Sequence, residues 1–344
     1  MKSNQIPDIR EVWDGMKGHN YGLPDAIKFI FEKMGRIDEK PDFWDIGAIT
    51  GDTIAQVYNH NVTTSCEYCI SGYLASESYI SYVFDTLGYR HEYANMAEIE
   101  NNMGFYREKI MNFIDKNLPV LIKTNLNDIP EWKSDVGTYA LVVGYENDAE
   151  ILKILVCNSG IINYKIDGGK LDLIFVSERI KEVSLEELYL SVVKKMAYYL
   201  TLPEQDGMFF GASAYRVWAD DIENGRFEDE SIALWENYGV YVCNLATSGN
   251  LPTYIFRKLA EMDEKYLSFA WIGKKIQELL PFESPDGTGR SQIWIDLENL
   301  NAGLNVDRQS LCDKEKRMKI AEILRDYAFR LDKVIELLTQ KYIN

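Results

Sequence analysis

The residues Gly137-Thr138-Tyr139-Ala140-Leu141-Val142-Val143-Gly144-Tyr145-Glu146 form the clearest buried strand in the sequence, and a turn at Asn147-Asp148 follows them. Further apolar runs rich in Val, Ile and aromatic residues follow at 151–157, 160–166 and 171–176. Runs of this length, separated by Asn-Asp and Asp-Gly-Gly turns, indicate antiparallel hairpins. We therefore predict a small meander in mid-chain, with Asp167-Gly168-Gly169 as its last hairpin turn.

The sequence upstream of this meander is mostly helical. Residues 25–35 place apolar side chains at helical spacing behind Pro24, and the spacing from Ser76 to Gly88 indicates a second helix. Further helices are predicted at 43–49 and 99–117, and strands at 89–93 and 118–123. Helices followed by a meander favour an α+β domain, which we place at residues 1–182.

Beyond Val183 the pattern is helical throughout. Ser184 and Glu187 have the spacing of a capping box, and residues 320–338 place their apolar side chains on one stripe. Helices are predicted from Ser184 to about Leu200 and at 207–224, 230–246, 252–280, 291–302 and 313–342. We therefore predict an all-α helical bundle over residues 183–344.

The composition excludes several classes of partner. The 37 basic and 54 acidic side chains leave a formal charge of −17, which repels nucleic-acid phosphates and anionic membrane surfaces. No apolar run is long enough to span a membrane, and the first residues do not resemble a signal peptide. We expect a cytoplasmic protein without nucleic-acid or membrane partners and with reduced cysteines, and nothing in the sequence fixes its oligomeric state.

Histidine is scarce, which limits the chemistry that the chain can perform. The three histidines are His19, His60 and His91, and the polar stretch 59–72 reads as a loop that holds Cys66 and Cys69. A thiol hydrogen-bonded to an imidazole is an activated nucleophile, so either cysteine could pair with His60 or His91. The same four residues could instead bind zinc, but a single Cys-x-x-Cys is a weak signal. Ordinary loop and packing roles are favoured for them, and we expect neither a metal nor a cofactor.

A pair of aspartates, Asp220-Asp221, lies on a predicted helix beside Glu223 and Glu228. Charge runs on amphipathic helices usually face water. We interpret this cluster as a solvated acidic face.

Three stretches carry a family resemblance. They are Tyr21-Gly22-Leu23-Pro24-Asp25-Ala26-Ile27, then Gly137-Thr138-Tyr139 through Gly144-Tyr145, then Leu155-Val156-Cys157-Asn158. Their order resembles the papain-like cysteine peptidases, in particular the bacteriocin-leader-processing type and the butirosin-biosynthesis acyltransferases. In that family, a Cys-Gly start opens the central helix, a His-containing strand follows, and an Asp or Asn ends the next strand. Residues 117–122 and 210–219 are also similar to parts of these proteins. The resemblance implies a papain-like fold for residues 1–182.

The catalytic residues of the family do not carry over. Tyr21 stands at the position of the nucleophilic Cys and Thr138 at that of the general base His, and only Asn158 could keep the orienting role. A Gln before the nucleophile is also missing, since residues 11–20 contain none. A phenol with an ordinary pKa near 10 beside a threonine hydroxyl provides no activated nucleophile.

The resemblance therefore implies a catalytically degenerate protein. We expect its former active-site cleft to bind a peptide or a small molecule. The expected lining residues are Trp13, His19, Tyr21, Trp44, Thr138 and Asn158. One alternative is an active peptidase or acyltransferase whose site has moved to His19, or to Cys66 and Cys69 with His91. Another is a structural or interaction protein that acts through its helical half.

Overall fold

A computed structural model describes residues 1–10, 22–35, 41–61, 69–125, 137–156, 160–166, 170–249, 251–283 and 289–339. The chain forms two compact units. The first contains Met1–Ile46 and Ser71–Val183, and the second contains Gly47–Ile70 and Ser184–Asn344. The segment Gly47–Ile70 therefore interrupts the first unit in the sequence but belongs to the second unit.

Helices and one antiparallel sheet make up the first unit. Its helices are α1 (Gly22–Lys33), α4 (Glu77–Leu87), α5 (Met96–Asn101) and α6 (Met103–Ile114). Helix α2 (Phe43–Thr50) begins in this unit and ends in the second, and all of α3 (Ile70–Leu74) except its first residue belongs to this unit. Its strands are β1 (Asn4–Gln5), β3 (Tyr89–Ala94), β4 (Val120–Asn125), β5 (Gly137–Glu146), β6 (Ile151–Val156), β7 (Gly160–Lys165) and β8 (Leu171–Arg179). The sheet runs in the order β3-β8-β4-β5-β6-β7. The predicted α+β class is confirmed.

The meander is correct for three of its four predicted strands. Strands β5, β6 and β7 pair in sequence order, and the turn after β5 places Asn147 and Asp148 at positive φ. Strand β8, however, pairs with β3 and β4, so the predicted hairpin between residues 160–166 and 171–176 is wrong, and its predicted turn residues 167–169 lie outside the described residues. The burial of the two strands explains this. Most of β8 is buried, as is typical of an interior strand, whereas β7 alternates between exposed and at least partly buried side chains, as is typical of an edge strand.

A close backbone contact holds β1 against β5. Asn4 and Gln5 pair with Tyr145 and Gly144, and a Cβ on Gly144 would lie 2.8 Å from the Asn4 carbonyl oxygen. The Asp115 carboxylate accepts hydrogen bonds from the side-chain amide of Asn4 at 2.7 Å and from the Tyr145 hydroxyl at 2.9 Å. A glycine at position 144 therefore allows the N-terminal strand to lie on the sheet.

Helix ends in the first unit follow local capping rules. Ser76 caps α4 through the Tyr79 amide, and Gly88 ends the helix in the left-handed conformation. The single helix predicted over 99–117 is two helices, because Asn102 leaves the helical conformation with φ −134°. Asn95 and Glu98 form a capping box that starts the shorter of them.

The second unit is mainly helical. It contains α7 (Leu185–Leu200), α8 (Gly211–Glu223), α9 (Val240–Ser248), α10 (Tyr254–Met262), α11 (Leu267–Leu279), α12 (Gln292–Glu298), α13 (Arg308–Cys312) and α14 (Lys314–Thr339). The predicted capping box of Ser184 and Glu187 opens α7. Along α8 and α14, the Tyr215 and Tyr327 rings lie 4.7 Å apart between centroids, and Arg325 donates to Asp220 at 2.7 Å.

A two-stranded sheet corrects the all-helical prediction for residues 183–344. Strand β2 (Val57–Asn59) pairs with β9 (Met208–Phe210), so the single helix predicted over 207–224 is wrong at its start. Asp206 and Gly207 adopt positive φ of 52° and 80°, which turns the chain into β9 instead of starting a helix. In the described part of the chain, no helix is both long enough and apolar enough to cross a membrane.

Candidate functional site

The start of α1 lies against the start of β5. A Cβ on Gly22 would be 3.2 Å from the Thr138 hydroxyl oxygen and 3.4 Å from the Tyr139 amide nitrogen. Helix α1 is buried along most of its length, since eight of its 12 residues are inaccessible. A buried helix thus begins next to Thr138, and Gly22 leaves room for the close approach.

Thr138 is buried at this junction. Its side chain is 8% exposed, and it pairs across the sheet with Thr124 of β4. The Thr124 hydroxyl donates to the Lys170 carbonyl at 3.2 Å. No hydrogen bond joins the Thr138 hydroxyl to another residue in the part of the chain that the structure describes. This hydroxyl can therefore both donate to and accept from a ligand.

The other residues predicted for the cleft are only partly described. Trp44 lies on α2 with 40% of its surface exposed, and its ring meets Phe43 edge-on at 5.4 Å. Trp13, His19, Tyr21 and Asn158 lie outside the described residues, as does Cys66. Among the residues predicted to line the cleft, the structure describes Thr138 and Trp44.

Both ends of the stretch 59–72, predicted as a loop, belong to regular elements, and residues 62–68 lie outside the described residues. Asn59 ends β2, and α3 begins at Ile70 directly after Cys69, which is buried with 2% exposure. His91 of β3 lies near Ser81, with 3.1 Å between its Nε2 and the Ser81 hydroxyl, and its Nδ1 is 3.8 Å from Asp85. Across the described ranges, no three His, Cys, Asp or Glu side chains are grouped closely enough to hold a metal ion.

His60 belongs to a hydrogen-bonded cluster that sequence reasoning missed. Its Nδ1 lies 2.9 and 3.0 Å from the two carboxylate oxygens of Asp221 on α8. The Tyr58 hydroxyl donates to the same carboxylate at 2.6 Å, and an Arg226 Nη1 lies 3.3 Å from it. We refer to Tyr58, His60, Asp221 and Arg226 as the His60 cluster.

Burial within the His60 cluster has an electrostatic consequence. Desolvation raises the pKa of Tyr58 well above its ordinary value, and the neighbouring negative charge of Asp221 raises it further. The phenol therefore remains a hydrogen-bond donor to Asp221 at every physiological pH. The Asp221 side chain is 10% exposed, whereas that of His60 is 51% exposed.

The interpretation of Asp221 as part of a solvated acidic face is wrong. Asp221 follows Ala214 and Trp218 at helical spacing, and all three are buried on one side of α8. Asp220 and Glu223 lie on another side, where both accept from Arg325. The position of Asp221 on the apolar stripe is a signal that sequence reasoning could have used, because a carboxylate there needs partners.

Comparison with known proteins gives no family assignment. No family model matches the chain, and no curated protein matches it.

Proposed function

We propose that the first unit is a catalytically degenerate papain-like module that binds a peptide or a small molecule beside Thr138. The contact between Gly22 and Thr138 is the observation that supports this proposal. In papain-like enzymes, the cleft lies where the central helix begins next to the strand that carries the general base. Here a buried helix begins next to the strand residue that stands at that position.

The chemistry of the junction favours binding over catalysis. A threonine hydroxyl cannot accept a proton at neutral pH, so Thr138 cannot act as a general base. Cys69 is buried, whereas reactive cysteines are partly exposed.

The polarity of the junction indicates which ligand group it accepts. A helix start favours a negative group, but Asp25 already places a buried carboxylate in the first turn of α1. The carboxyl group of Asp25 therefore already occupies the turn that would favour a negative ligand group. The neutral amide of a peptide, which both donates and accepts, fits the Thr138 hydroxyl better.

Restoring the missing catalytic pair tests the papain-like geometry. We expect the thiol of a Tyr21→Cys, Thr138→His double variant to react with iodoacetamide at pH 7 about tenfold faster than that of Tyr21→Cys alone, because a nearby imidazolium stabilises the thiolate. A Tyr21→Cys, Thr201→His variant is the matched control, since Thr201 is an exposed residue at the end of α7 in the second unit. Equal rates in all three proteins would contradict the papain-like arrangement.

Peptide binding is tested separately by thermal unfolding. We expect some members of a library of acetylated tripeptide amides to raise the unfolding midpoint of the unmodified protein and of Thr201→Val. The same peptides should raise the midpoint of Thr138→Val less, because this change removes the hydroxyl and keeps the side-chain shape. Equal stabilisation of all three proteins would place peptide binding elsewhere.

A further inference from the structure

The His60 cluster holds one imidazole in a fixed orientation at the surface of the second unit. The His60 backbone amide donates to the Gly207 carbonyl at 3.1 Å, which extends the β2–β9 ladder by one residue. Arg226 donates to the His60 carbonyl. On the preceding residue, the Asn59 amide donates to the Tyr241 hydroxyl at 3.0 Å. The backbone that carries the imidazole is therefore held on both sides.

The partner of the imidazole is held just as firmly. Asp221 lies within a 13-residue helix and binds the Tyr58 hydroxyl and Arg226 as well as His60. Tyr58 is fully buried, and its ring lies 4.8 Å from that of Tyr241. Three partners thus fix the carboxylate.

The orientation of His60 determines which ring nitrogen is reactive. An aspartate acceptor at Nδ1 keeps the proton on Nδ1, so the neutral ring presents its lone pair at Nε2. In the described part of the chain, no side chain or carbonyl bonds Nε2 of His60. His91 differs, because its Nε2 already lies within hydrogen-bond distance of Ser81.

We propose that His60 is the proton-transfer residue of a second site, with Nε2 as the reacting atom and Asp221 as its positioning residue. Enzymes orient a general base in this way: one imidazole nitrogen is exposed, and the Nδ1 nitrogen is hydrogen-bonded to a buried carboxylate. A small activated acyl ester serves as the probe of this site, because its hydrolysis needs only water and a residue that transfers a proton. The inference is independent of the proposed function of the first unit.

The reaction can be written in full for an activated ester and water. Nε2 of His60 takes a proton from the water molecule while the water oxygen forms a bond to the carbonyl carbon of the ester. The bond from that carbon to the leaving oxygen then breaks, and the leaving group departs with the electron pair. The imidazolium returns its proton to the leaving group or to solvent, and the products are a carboxylic acid and an alcohol or phenol.

Hydrolysis of p-nitrophenyl acetate by the full chain tests the proposal. We expect His60→Gln to lose at least about tenfold of the protein-dependent rate, since general bases contribute factors of this order or more. His91→Gln should stay within twofold of the unmodified protein, because the Nε2 of His91 already lies within hydrogen-bond distance of Ser81. A rate in His60→Gln equal to that of the unmodified protein overturns the proposal, as does an equal loss in His91→Gln. Circular dichroism of each variant establishes that the fold is intact.

The positioning role of Asp221 has its own spectroscopic signature. In ¹⁵N-histidine-labelled protein, the ring signals come from only three histidines, and His60 should carry its proton on Nδ1. In Asp221→Asn, Tyr58 and Arg226 still donate to the amide oxygen, so the amide NH₂ faces Nδ1 and the proton should move to Nε2. The hydrolysis rate should fall with it. A Tyr58→Phe variant keeps the carboxylate of Asp221 and should keep the Nδ1–H form of His60. If His60 carries its proton on Nε2 in the unmodified protein or in Tyr58→Phe, Asp221 does not position the imidazole in this way.

Discussion

Gly88 shows how a single residue can connect two parts of the first unit. It ends α4 with a φ of 78°, and its carbonyl accepts from the amides of Ile180 at 2.9 Å and Lys181 at 3.2 Å. A Cβ at this position would lie 2.3 Å from the Lys181 carbonyl oxygen. Both the conformation and the space therefore require glycine.

We expect Gly88→Ala to destabilise the protein by about 2 kcal/mol or more, because the left-handed conformation and the clash with backbone both oppose a side chain. Urea unfolding followed by circular dichroism measures the change. Gly104→Ala is the control, since Gly104 lies in α6 with nothing within 4 Å of the added carbon. That variant should be neutral or more stable by up to about 1 kcal/mol. Equal midpoints for the two variants would contradict the constraint at Gly88.

Buried tyrosines make the second unit sensitive to alkaline pH. Burial raises the pKa of Tyr58, Tyr215, Tyr238 and Tyr327 above the ordinary value of 10. Above pH 10 the unfolded chain loses these protons while the folded chain keeps them, so the free energy of unfolding falls as the pH rises. Each tyrosine contributes about 1.4 kcal/mol per pH unit to this fall.

The expected measurement is urea unfolding between pH 8 and 11.5. Stability should be level up to about pH 9.5 and then decline, and Tyr58→Phe should decline less steeply by about 1.4 kcal/mol per pH unit. Tyr58→Phe should also be less stable by about 1 kcal/mol at pH 8, because Asp221 loses a hydrogen bond. The same slope in both proteins would mean that Tyr58 titrates normally.

At the scale of elements, the helix starts that carry a capping serine were predictable. The capping box at the start of α7 satisfies two backbone amides reciprocally: the Ser184 hydroxyl accepts from the Glu187 amide at 3.2 Å, and the Glu187 carboxylate accepts from the Ser184 amide at 3.1 Å. These contacts involve residues three apart, so the sequence itself contains them. The same holds for Ser76 at the start of α4.

We expect Ser184→Ala to lower the free energy of unfolding by about 1 kcal/mol, the usual loss when a capping side chain is removed. Ser184→Asp should remain within a few tenths of a kcal/mol of the unmodified protein, since aspartate caps equally well and suits the positive end of a helix. Thermal unfolding of the two variants side by side measures the difference. A loss of the same size in Ser184→Asp would show that the cap is not the cause.

Strand partners were less predictable than strands. Residues 160–166 and 171–176 are close in sequence and separated by an Asp-Gly-Gly sequence that favours a turn, yet β7 lies at one edge of the sheet and β8 lies between β3 and β4. A local pattern gives the length and burial of a strand, but its neighbours depend on which buried edges remain to be covered. Strand β9 was missed for a related reason, because three residues carry too little periodicity to indicate a strand.

At the scale of the whole molecule, the sequence predicted one of the two candidate sites and not the other. The resemblance pointed to Thr138, and the structure places the start of α1 next to it. The His60 cluster joins residues from 58–60 and 221–226, which no spacing rule relates. The sequence contained one indication of it, the carboxylate on the apolar stripe of α8.

The chain segment 47–70 is an integral part of the second unit. Gln56 donates from its amide to the Tyr241 carbonyl at 3.1 Å and accepts from the Ser248 hydroxyl at 3.0 Å, and all three residues are buried or nearly so. Strand β2 also supplies Tyr58, which stacks with Trp218 at 6.1 Å. Without this segment, buried polar groups of α9 and α8 lose their partners.

We therefore expect residues 184–344 expressed alone to lack a cooperative unfolding transition. A protein in which residues 47–70 are joined to 184–344 by a flexible Gly/Ser linker should regain one, as measured by urea unfolding and by dispersion of amide NMR signals. A cooperative transition in the shorter fragment would contradict the role assigned to the segment.

The pairing of β2 with β9 also has a consequence for synthesis of the protein. The ribosome must add every residue between Asn59 and Met208 before β2 has a partner, which takes on the order of 10 s at ~5–20 residues per second. During that interval Val57 and Tyr58, both fully buried in the finished protein, are exposed to solvent or to a chaperone. Slower translation would lengthen this exposure, so the yield of folded protein should depend on how fast the codons of the intervening stretch are read.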